Sequence, residues 1–388
     1  MIRLLTAGES HGPAVTAIVE GIPAGLPLTT QDIDNDLIRR QTGFGSGGRM
    51  KIEKDRVRIL SGVMNNVTIG SPISLQIQNL DHEKWKNKSV PSLTTPRPGH
   101  ADLTGAIKYG YDDLRYSLER ASARETTARV AAAAICRKLL VEFGITIGSY
   151  VTEIGEVQAN LSNMNIEDRI VLSEQSKVRC PDKIASDKMC AYIKDIMQEK
   201  DTLGGIFEVI ATGIPPGLGS YAHWDRRIEA TLAQAILSIH AIKGVEIGPA
   251  FENARKKGTE VHDEIILKGD NITRKTNRAG GTEGGVTTGQ PIVIRAAMKP
   301  ISTTLNPLQT VDLATGKASP TTYERSDFCA APRAAVVGES MVALILANEL
   351  LKKIGGDSLN EMMPRYKNLK KASLEDLTME NKPTIFWE

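Results

Sequence analysis

The sequence predicts an α+β fold, in which long amphipathic helices lie between groups of short strands. Apolar residues recur at helical spacing in several segments, while other short apolar segments are bounded by glycine and proline, as strands are. Residues 17–26 (AIVEGIPAGL) and 209–218 (VIATGIPPGL) also share a pattern of a strand followed by a Gly/Pro turn. This repeat indicates either two related halves or the chance recurrence of a short turn pattern.

Helices are predicted where an apolar face is flanked by residues that favour helix ends. Residues 30–40 have acidic side chains early and two arginines late, an order that the helix dipole favours. A second helix begins with a capping-box pattern at 122–125 and ends at 140 or 142. Further helices are predicted at 186–200, 226–239 and 334–353, and strands at 57–60, 73–77, 145–154, 207–211 and 291–296.

Length and composition narrow the class of protein. A chain of 388 residues forms two domains or one large one, and its net charge of +2 argues against a dedicated nucleic-acid-binding protein. We find neither an 18-residue apolar run nor a signal-peptide pattern, so no membrane segment is expected. Four cysteines without zinc-ligand spacing predict reduced thiols, no metal site and a cytoplasmic location. From residue 355 the polar, lysine-rich composition predicts a C-terminal tail over 355–388.

Two histidines lie in loops whose backbone is restricted by glycine and proline. His11 lies in the segment GESHGP and His100 in the segment PRPGHAD. Such loops present side chains to a site, although a structural role for each histidine is an equal alternative. His240, at the end of a predicted helix, is an intermediate case.

Arginines and glycine-rich loops indicate an anion-binding pocket. Arg49 follows the glycine-rich segment 43–48, whose backbone N–H groups can approach an anion. Arg120 and Arg124 are predicted at a helix N-terminus, where a cation opposes the dipole unless an anionic ligand is bound; a solvated charged face is the alternative. Together with the loops at 280–285 and 325–327, these residues predict a site for a small polyanion that undergoes proton transfer.

Five motifs, in this order, resemble those of the chorismate synthase family: GESHG (8–12), RQ-x-GFG-x-GGRM (40–50), RPGHAD (97–102), ERASARET (119–126) and ERSD (324–327). The resemblance extends over a single domain from residue 1 to about 354. It implies a β-α-β sandwich with internal pseudo-symmetry, whose halves cover about 1–200 and 201–354, and assembly as a homotetramer.

The same resemblance implies a reaction. The family converts 5-enolpyruvylshikimate 3-phosphate into chorismate by an anti 1,4-elimination of phosphate, the last common step of aromatic amino-acid biosynthesis. It requires reduced FMN although the reaction has no net redox change. Reduced FMN would come from an external flavin reductase, with NADPH as an indirect reductant. We expect no nucleic-acid partner.

Roles for individual residues follow from the resemblance. His11 would protonate the leaving phosphate, His100 would protonate or balance the reduced flavin, and Asp327, beside Ser10, would relay a proton. FMN contacts are implied for Arg120, Ala121, Ser122, His240, Ala241, Gly284, Lys299, Pro300, Ile301, Ser302, Thr303 and Arg325. Substrate or NADP(H) binding is implied for Arg40, Ser46, Arg49 and Arg124. The chain departs from the family at Ser46, His240 and Ser302, where arginine, asparagine and proline are common.

Two other functions fit the same residues. A flavin-dependent oxidoreductase acting on a small polyanionic substrate would use the pocket for net hydride transfer. A non-catalytic anion-binding protein would use the arginines but would leave the two loop histidines and Asp327 unexplained.

Overall fold

Two antiparallel sheets enclose a layer of helices in the computed structural model, which describes residues 1–47, 53–377 and 379–387. The helices are α1 (Thr30–Gln41), α2 (Asp102–Tyr109), α3 (Arg115–Arg120), α4 (Thr126–Glu142), α5 (Ile166–Gln175), α6 (Lys183–Glu199), α7 (Ile228–Leu237), α8 (Ala250–Asn253), α9 (Gly258–Val261), α10 (Ala331–Ile354) and α11 (Leu359–Lys367). The strands are β1 (Arg3–Ala7), β2 (Ala14–Glu20), β3 (Val57–Ile59), β4 (Val63–Met64), β5 (Val67–Thr68), β6 (Ile73–Gln78), β7 (Thr146–Ile154), β8 (Val157–Gln158), β9 (Gly205–Thr212), β10 (Ile242–Ile247), β11 (Ile265–Lys268), β12 (Asn271–Arg274), β13 (Thr282–Glu283), β14 (Val286–Thr287), β15 (Ile292–Met298), β16 (Gln309–Asp312) and β17 (Lys317–Pro320).

The layer order is sheet, helices, sheet. The first sheet has the strand order β1-β2-β6-β3, and the second has the order β10-β15-β9-β7-β8. Helix α4 packs on β2 and β6, α10 packs on β7 and β9, and the two helices pack on each other. The predicted α+β class and the β-α-β sandwich are therefore confirmed.

The two sheets are related by internal pseudo-symmetry. Strands β1, β2, β6 and β3 match β7, β9, β15 and β10 in spatial order and in order along the chain. The turns match as well: the Thr68 hydroxyl donates to the carbonyl of Pro23 (2.7 Å) and accepts from the N–H of Leu26 (3.0 Å). Thr287 makes the same two bonds in the second GIP turn, at 2.7 and 2.9 Å. The correspondence places the boundary between the halves between α4 and β7, instead of near residue 200.

Local sequence signals explain where α1 begins and why its C-terminal end carries arginine. Thr29 and Asp32 form a capping box, in which Asp32 accepts the N–H of Thr29 at 2.8 Å. Ile33 and Leu37 are buried on the inner face of the helix. The helix ends with basic residues, and this end brings Arg40 to the cavity described below.

The prediction of a capping box at 122–125 is wrong, because the second of its two hydrogen bonds is not made. Ser122 does accept the N–H of Arg124 at 3.3 Å, but it starts a 3-10 turn, and α4 begins after that turn. The Glu125 carboxylate accepts from the hydroxyl of Thr6 (2.6 Å) and from Arg129 (3.1 Å). Glu125 thus binds partners on β1 and one turn further along α4, rather than closing a capping box.

Helix α10 is long and apolar on average, although Glu339 and Asn348 interrupt it and it contains no continuous 18-residue apolar run. By length and composition this helix could cross a membrane, and no other helix among the described residues is both long and apolar enough to do so. However, 83% of its most apolar 18-residue window is buried inside the protein. At Gly338, an added Cβ would lie 2.8 Å from the ring of Phe207, so the helix packs closely against β9. Helix α10 is the central core helix of the fold.

The predicted C-terminal tail begins with a packed segment. In α11, Met362 is fully buried in the main core, and the N–H of Leu359 donates to the carbonyl of Ala24 at 2.8 Å. Residues 379–387 are exposed. The first part of the region after α10 is therefore attached to the first half of the fold.

Candidate active site

A cavity of about 390 Å³ lies where loops of both halves meet the start of α10. Histidines, one serine and one aspartate predicted from the sequence border it together: Ser10, His11, His100, His240 and Asp327. The charged lining is mainly cationic, with Arg40, Arg97, Arg124, Lys299, Arg325 and Arg333 against the carboxylates of Glu324 and Asp327. The lining charge suits a ligand that has several negative groups.

Most of the predicted binding residues also border the cavity: Arg40, Ala121, Ser122, Arg124, His240, Ala241, Lys299, Ile301, Ser302, Thr303 and Arg325. Among the described residues, four predicted positions are not part of its lining, namely Ser46, Arg120, Gly284 and Pro300. Gly284 lies in the exposed turn between β13 and β14. Arg49 lies outside the described residues.

Arg120 lies at the opposite helix end from the one predicted. It is the last residue of α3, so its charge complements the helix dipole. Its guanidinium donates to the backbone carbonyls of Thr6 (3.0 Å) and Gly8 (3.2 Å). In this structure Arg120 therefore holds the loop that carries Ser10 and His11.

His11 is fixed through its ring and its backbone. Its Nδ1 lies 2.6 Å from Oε1 of Glu119, and its backbone N–H donates to Oε2 of the same carboxylate at 2.7 Å. The ring also packs on Trp85, with ring centroids 4.5 Å apart. Because Nδ1 is engaged by a carboxylate, Nε2 is the ring nitrogen that remains for a ligand in the cavity.

His100 has a similar arrangement. Its Nδ1 lies 2.6 Å from Oδ1 of Asp102, whose carboxylate also accepts from the guanidinium of Arg97 at 2.8 and 3.0 Å. Burial alone would raise the pKa of Asp102, but the hydrogen bonds from His100 and Arg97 lower it well below its ordinary range. Asp102 therefore stays ionised and orients His100. The guanidinium of Arg97 also donates a hydrogen bond to the hydroxyl of Thr303 at 3.0 Å.

Asp327 is held at the cavity edge by two donors. Its Oδ1 accepts the backbone N–H of Gly47 at 2.8 Å, and its Oδ2 pairs with Arg333. Ser10 borders the same cavity but donates its hydroxyl hydrogen to Ser122 at 3.1 Å. The carboxylate of Asp327 is thus fixed in place by the glycine-rich loop and by the first turn of α10.

Arg40 and Arg124 are both buried beside the cavity, but they differ in pairing. Arg124 donates to Asp55 (2.6 Å) and to the side chain of Asn79 (2.7 Å). Its charge is therefore compensated within the protein, which removes the argument that it needs an anionic ligand. Arg40 donates to Thr126, and its Nη1 lies 3.5 Å from the same Asp55, too far for a hydrogen bond and without one to any other described residue.

Keeping Arg40 charged in the folded protein costs free energy. Burial and the nearby cation of Arg333 lower the pKa of Arg40 to about 9, although Asp55 acts in the opposite direction. A buried cation with an unused donor is the kind of group that an anionic ligand stabilises. Arg40 is therefore the strongest candidate for an anion contact in the cavity.

His240 also has an unused polar atom. Burial lowers the pKa of His240 to about 4, against the opposing effect of Glu125, so the ring is neutral at neutral pH. Its Nδ1 is buried and has no hydrogen-bond partner among the described residues. A neutral imidazole beside the cavity can donate one hydrogen bond and accept another.

The sequence motifs contained several functional residues to which no role had been given. Glu119 stands in ERASARET, and Arg97 and Asp102 stand in RPGHAD, so their motifs marked them, but only the fold shows that they orient histidines. Arg333 lies outside all five motifs, and only the fold shows that it pairs with Asp327. Trp85 had no signal in the sequence that linked it to His11.

Comparison with known proteins identifies the family of the chain. The model of the chorismate synthase family matches residues 2–351. The chain is 53% identical to the chorismate synthase of Syntrophotalea carbinolica over 370 residues, which covers 93% of this chain and 96% of that protein. It is 50% identical to the chorismate synthase of Aquifex aeolicus, with 95% and 97% covered.

A solved structure gives the same result. A crystal structure of chorismate synthase superposes with a TM-score of 0.79 at 45% sequence identity, covering 95% of this chain and 96% of that chain. Sequence motifs, fold and relatives agree over nearly the whole chain. The chain belongs to the chorismate synthase family.

Proposed function

We propose that the cavity is the site at which this carbon–oxygen lyase converts 5-enolpyruvylshikimate 3-phosphate into chorismate and phosphate. The main support is that the cavity brings Arg40, whose buried guanidinium pairs only at 3.5 Å with Asp55, together with His11, His100 and Asp327. The substrate carries two carboxylates and a phosphate, so it supplies the negative charge that this lining lacks. Arg325 and Lys299, also in the lining, add cations for the same ligand.

The lining also fits FMN. The described wall contains apolar side chains such as Ile239, Ile301 and Val337, which suit a flat ring system, and cations that suit a phosphate. His240 also borders the cavity, and its buried Nδ1 has no hydrogen-bond partner among the described residues. Lys299 and residues 301–303 would hold the cofactor together with His240. When bound, reduced FMN supplies the electron density that helps an allylic C–O bond to break.

The protein's own groups handle the protons. His11 donates a proton from Nε2 to the phosphate oxygen as the C–O bond breaks, which makes phosphate a better leaving group. His100, oriented by Asp102, holds a proton near the cofactor and balances its charge. Asp327, which borders the cavity as Ser10 does, accepts the proton that the substrate loses. One C–O and one C–H bond break and one double bond forms, so no net oxidation occurs.

We further propose that the protein works as a homotetramer in the cytoplasm, with an external flavin reductase that uses NADPH. Assembly is supported by the hairpin of β11 and β12, where Ile265 is 66% and Leu267 is 58% exposed in the single chain. A reducing compartment is supported by the four free cysteines. Reduced FMN must be supplied from outside for the reaction to begin.

An anaerobic assay with reduced FMN and 5-enolpyruvylshikimate 3-phosphate tests the proposal. We expect one phosphate per chorismate, with the flavin still reduced at the end. Flavin oxidation in proportion to the substrate consumed would instead identify an oxidoreductase. Binding of the substrate without any turnover would identify an anion-binding protein. The same mixture with oxidised FMN serves as the control and should remain inactive.

A further inference from the structure

We propose that Glu119 is a positioning residue that sets the proton-donating geometry of His11, an inference that rests on the proposed role of His11. The sequence gives Glu119 no role beyond its place in the ERASARET motif. In the fold it lies next to the end of α3, directly against the loop that carries His11.

Both oxygens of the Glu119 carboxylate bind the same residue. Oε1 lies 2.6 Å from Nδ1 of His11, and Oε2 accepts the backbone N–H of His11 at 2.7 Å. The ring is therefore fixed relative to its own backbone, which sets both side-chain torsions. The two side chains are only 15% and 17% exposed, so water competes weakly for these bonds.

Further contacts of the loop make Glu119 the centre of this arrangement. The backbone N–H of Ser10 donates to the carbonyl of Glu119 at 3.0 Å, so the residue holds two successive positions of the loop. Nδ1 of His82 lies 2.8 Å from the carbonyl oxygen of His11, and Trp85 packs on the ring of His11. These contacts keep the ring at the cavity wall, while Glu119 determines which nitrogen faces the ligand.

The chemistry follows from the tautomer. A carboxylate that accepts from Nδ1 keeps the hydrogen on that nitrogen, so Nε2 is the position that gains and donates the catalytic proton. Without the carboxylate the ring can rotate or change tautomer, and fewer molecules hold a proton in reach of the leaving phosphate. This proton moves only as the C–O bond breaks. Loss of Glu119 should therefore lower kcat and leave KM for the substrate nearly unchanged.

A double-mutant cycle with His11 tests the proposal in the full-length protein with saturating reduced FMN. We expect Glu119→Gln, which keeps the shape of the side chain, to lower kcat by about 10- to 1,000-fold with KM changed by less than about twofold. In the His11→Ala background, the same substitution should change kcat by less than about threefold, because its target is already gone. Glu119→Asp keeps the charge and should retain more activity than Glu119→Gln.

Asp113→Asn is the matched control. Asp113 accepts the N–H groups of Arg115 (2.8 Å) and Leu93 (3.0 Å) at the other end of α3, so its loss perturbs the same helix away from His11. We expect normal kcat per folded molecule in this variant, even where its melting temperature falls.

Three outcomes would overturn the proposal. The first is an equal loss of kcat from Glu119→Gln in both backgrounds, which would mean that Glu119 acts independently of His11. The second is normal kcat per folded molecule with a lower melting temperature, which is the signature of a structural role. The third is Glu119→Asp no more active than Glu119→Gln. If His11→Ala alone had normal turnover, the proposed function of His11 would fail instead, and the two failures are thereby distinguished.

Discussion

Replacing Arg40 by methionine should weaken ligand binding while leaving the ligand-free protein about as stable as before. Arg40 is only 3% exposed, and its pKa of about 9 against an ordinary 12.5 means that its charge costs about 5 kcal/mol in the folded state. Methionine removes this cost. It also removes hydrogen bonds from the guanidinium to the Thr126 hydroxyl and the Ala123 carbonyl, worth together about 3–6 kcal/mol. The two contributions nearly cancel.

Binding should not be compensated in this way. A charged hydrogen bond from Arg40 to an anionic oxygen contributes about 1.5–3 kcal/mol, so we expect substrate affinity to fall by roughly 10- to 150-fold. Calorimetric titration with 5-enolpyruvylshikimate 3-phosphate measures the affinity. Urea unfolding with and without the substrate measures the stability, and the stabilisation by substrate should be smaller in the variant.

Arg124→Met is the matched comparison, because Arg124 is a similarly buried arginine of the cavity lining that lies closer than Arg40 to their shared partner Asp55. Its loss leaves the buried Asp55 without its closest cation, which lies at 2.6 Å, and should destabilise the ligand-free protein by about 3–5 kcal/mol. If Arg40→Met destabilised the protein as much as Arg124→Met and kept normal affinity per folded molecule, the reasoning about Arg40 would be refuted.

Two more predictions concern His240 and Gly47. Since burial lowers the folded-state pKa of His240 from 6.5 to about 4, the unfolded chain takes up this proton first as the pH falls, and up to about 3 kcal/mol of stability is lost between pH 6.5 and 4. His240→Asn should lose correspondingly less in urea unfolding at pH 7 and pH 4, and equal losses would contradict this. In Gly47→Ala, the added Cβ would clash with the backbone carbonyl of Ser326 and displace the N–H that holds Asp327. The clash should also lower the melting temperature, so turnover is compared per folded molecule: it should fall by at least about tenfold, and normal turnover would disprove the role of this contact.

The sequence predicted the regular elements well because their signals are local. The helix predicted at 30–40 is α1 (Thr30–Gln41), and the strand predicted at 73–77 is β6 (Ile73–Gln78). Helix α10 extends three residues before its predicted start, because Pro332 is well tolerated in a first helical turn. The observed ends of elements differ from the predicted ends where a tertiary contact replaces a local one. Glu125, for example, binds Thr6 instead of capping its own helix.

The sequence predicted which residues form the site better than it predicted the hydrogen bonds between them. Motifs placed the two histidines and Asp327 near one another, but hydrogen-bond partners depend on contacts that are distant in the chain. Arg124 pairs with a residue 69 positions away, and Gly47 binds one 280 positions away. For the same reason the sequence treated Arg40 and Arg124 alike, although Asp55 lies 2.6 Å from Arg124 and 3.5 Å from Arg40.

The most direct test of the central claim, that His11 supplies a proton to the leaving phosphate, is the single-turnover rate of His11→Ala with reduced FMN under anaerobic conditions. Because the ring already borders the cavity, its truncation enlarges an existing space and creates no closed void in the core. We predict a rate lower by about 10²- to 10⁴-fold, or about 3–5 kcal/mol of barrier, with substrate affinity and melting temperature nearly retained. A destabilised variant with normal turnover per folded molecule would contradict the claim.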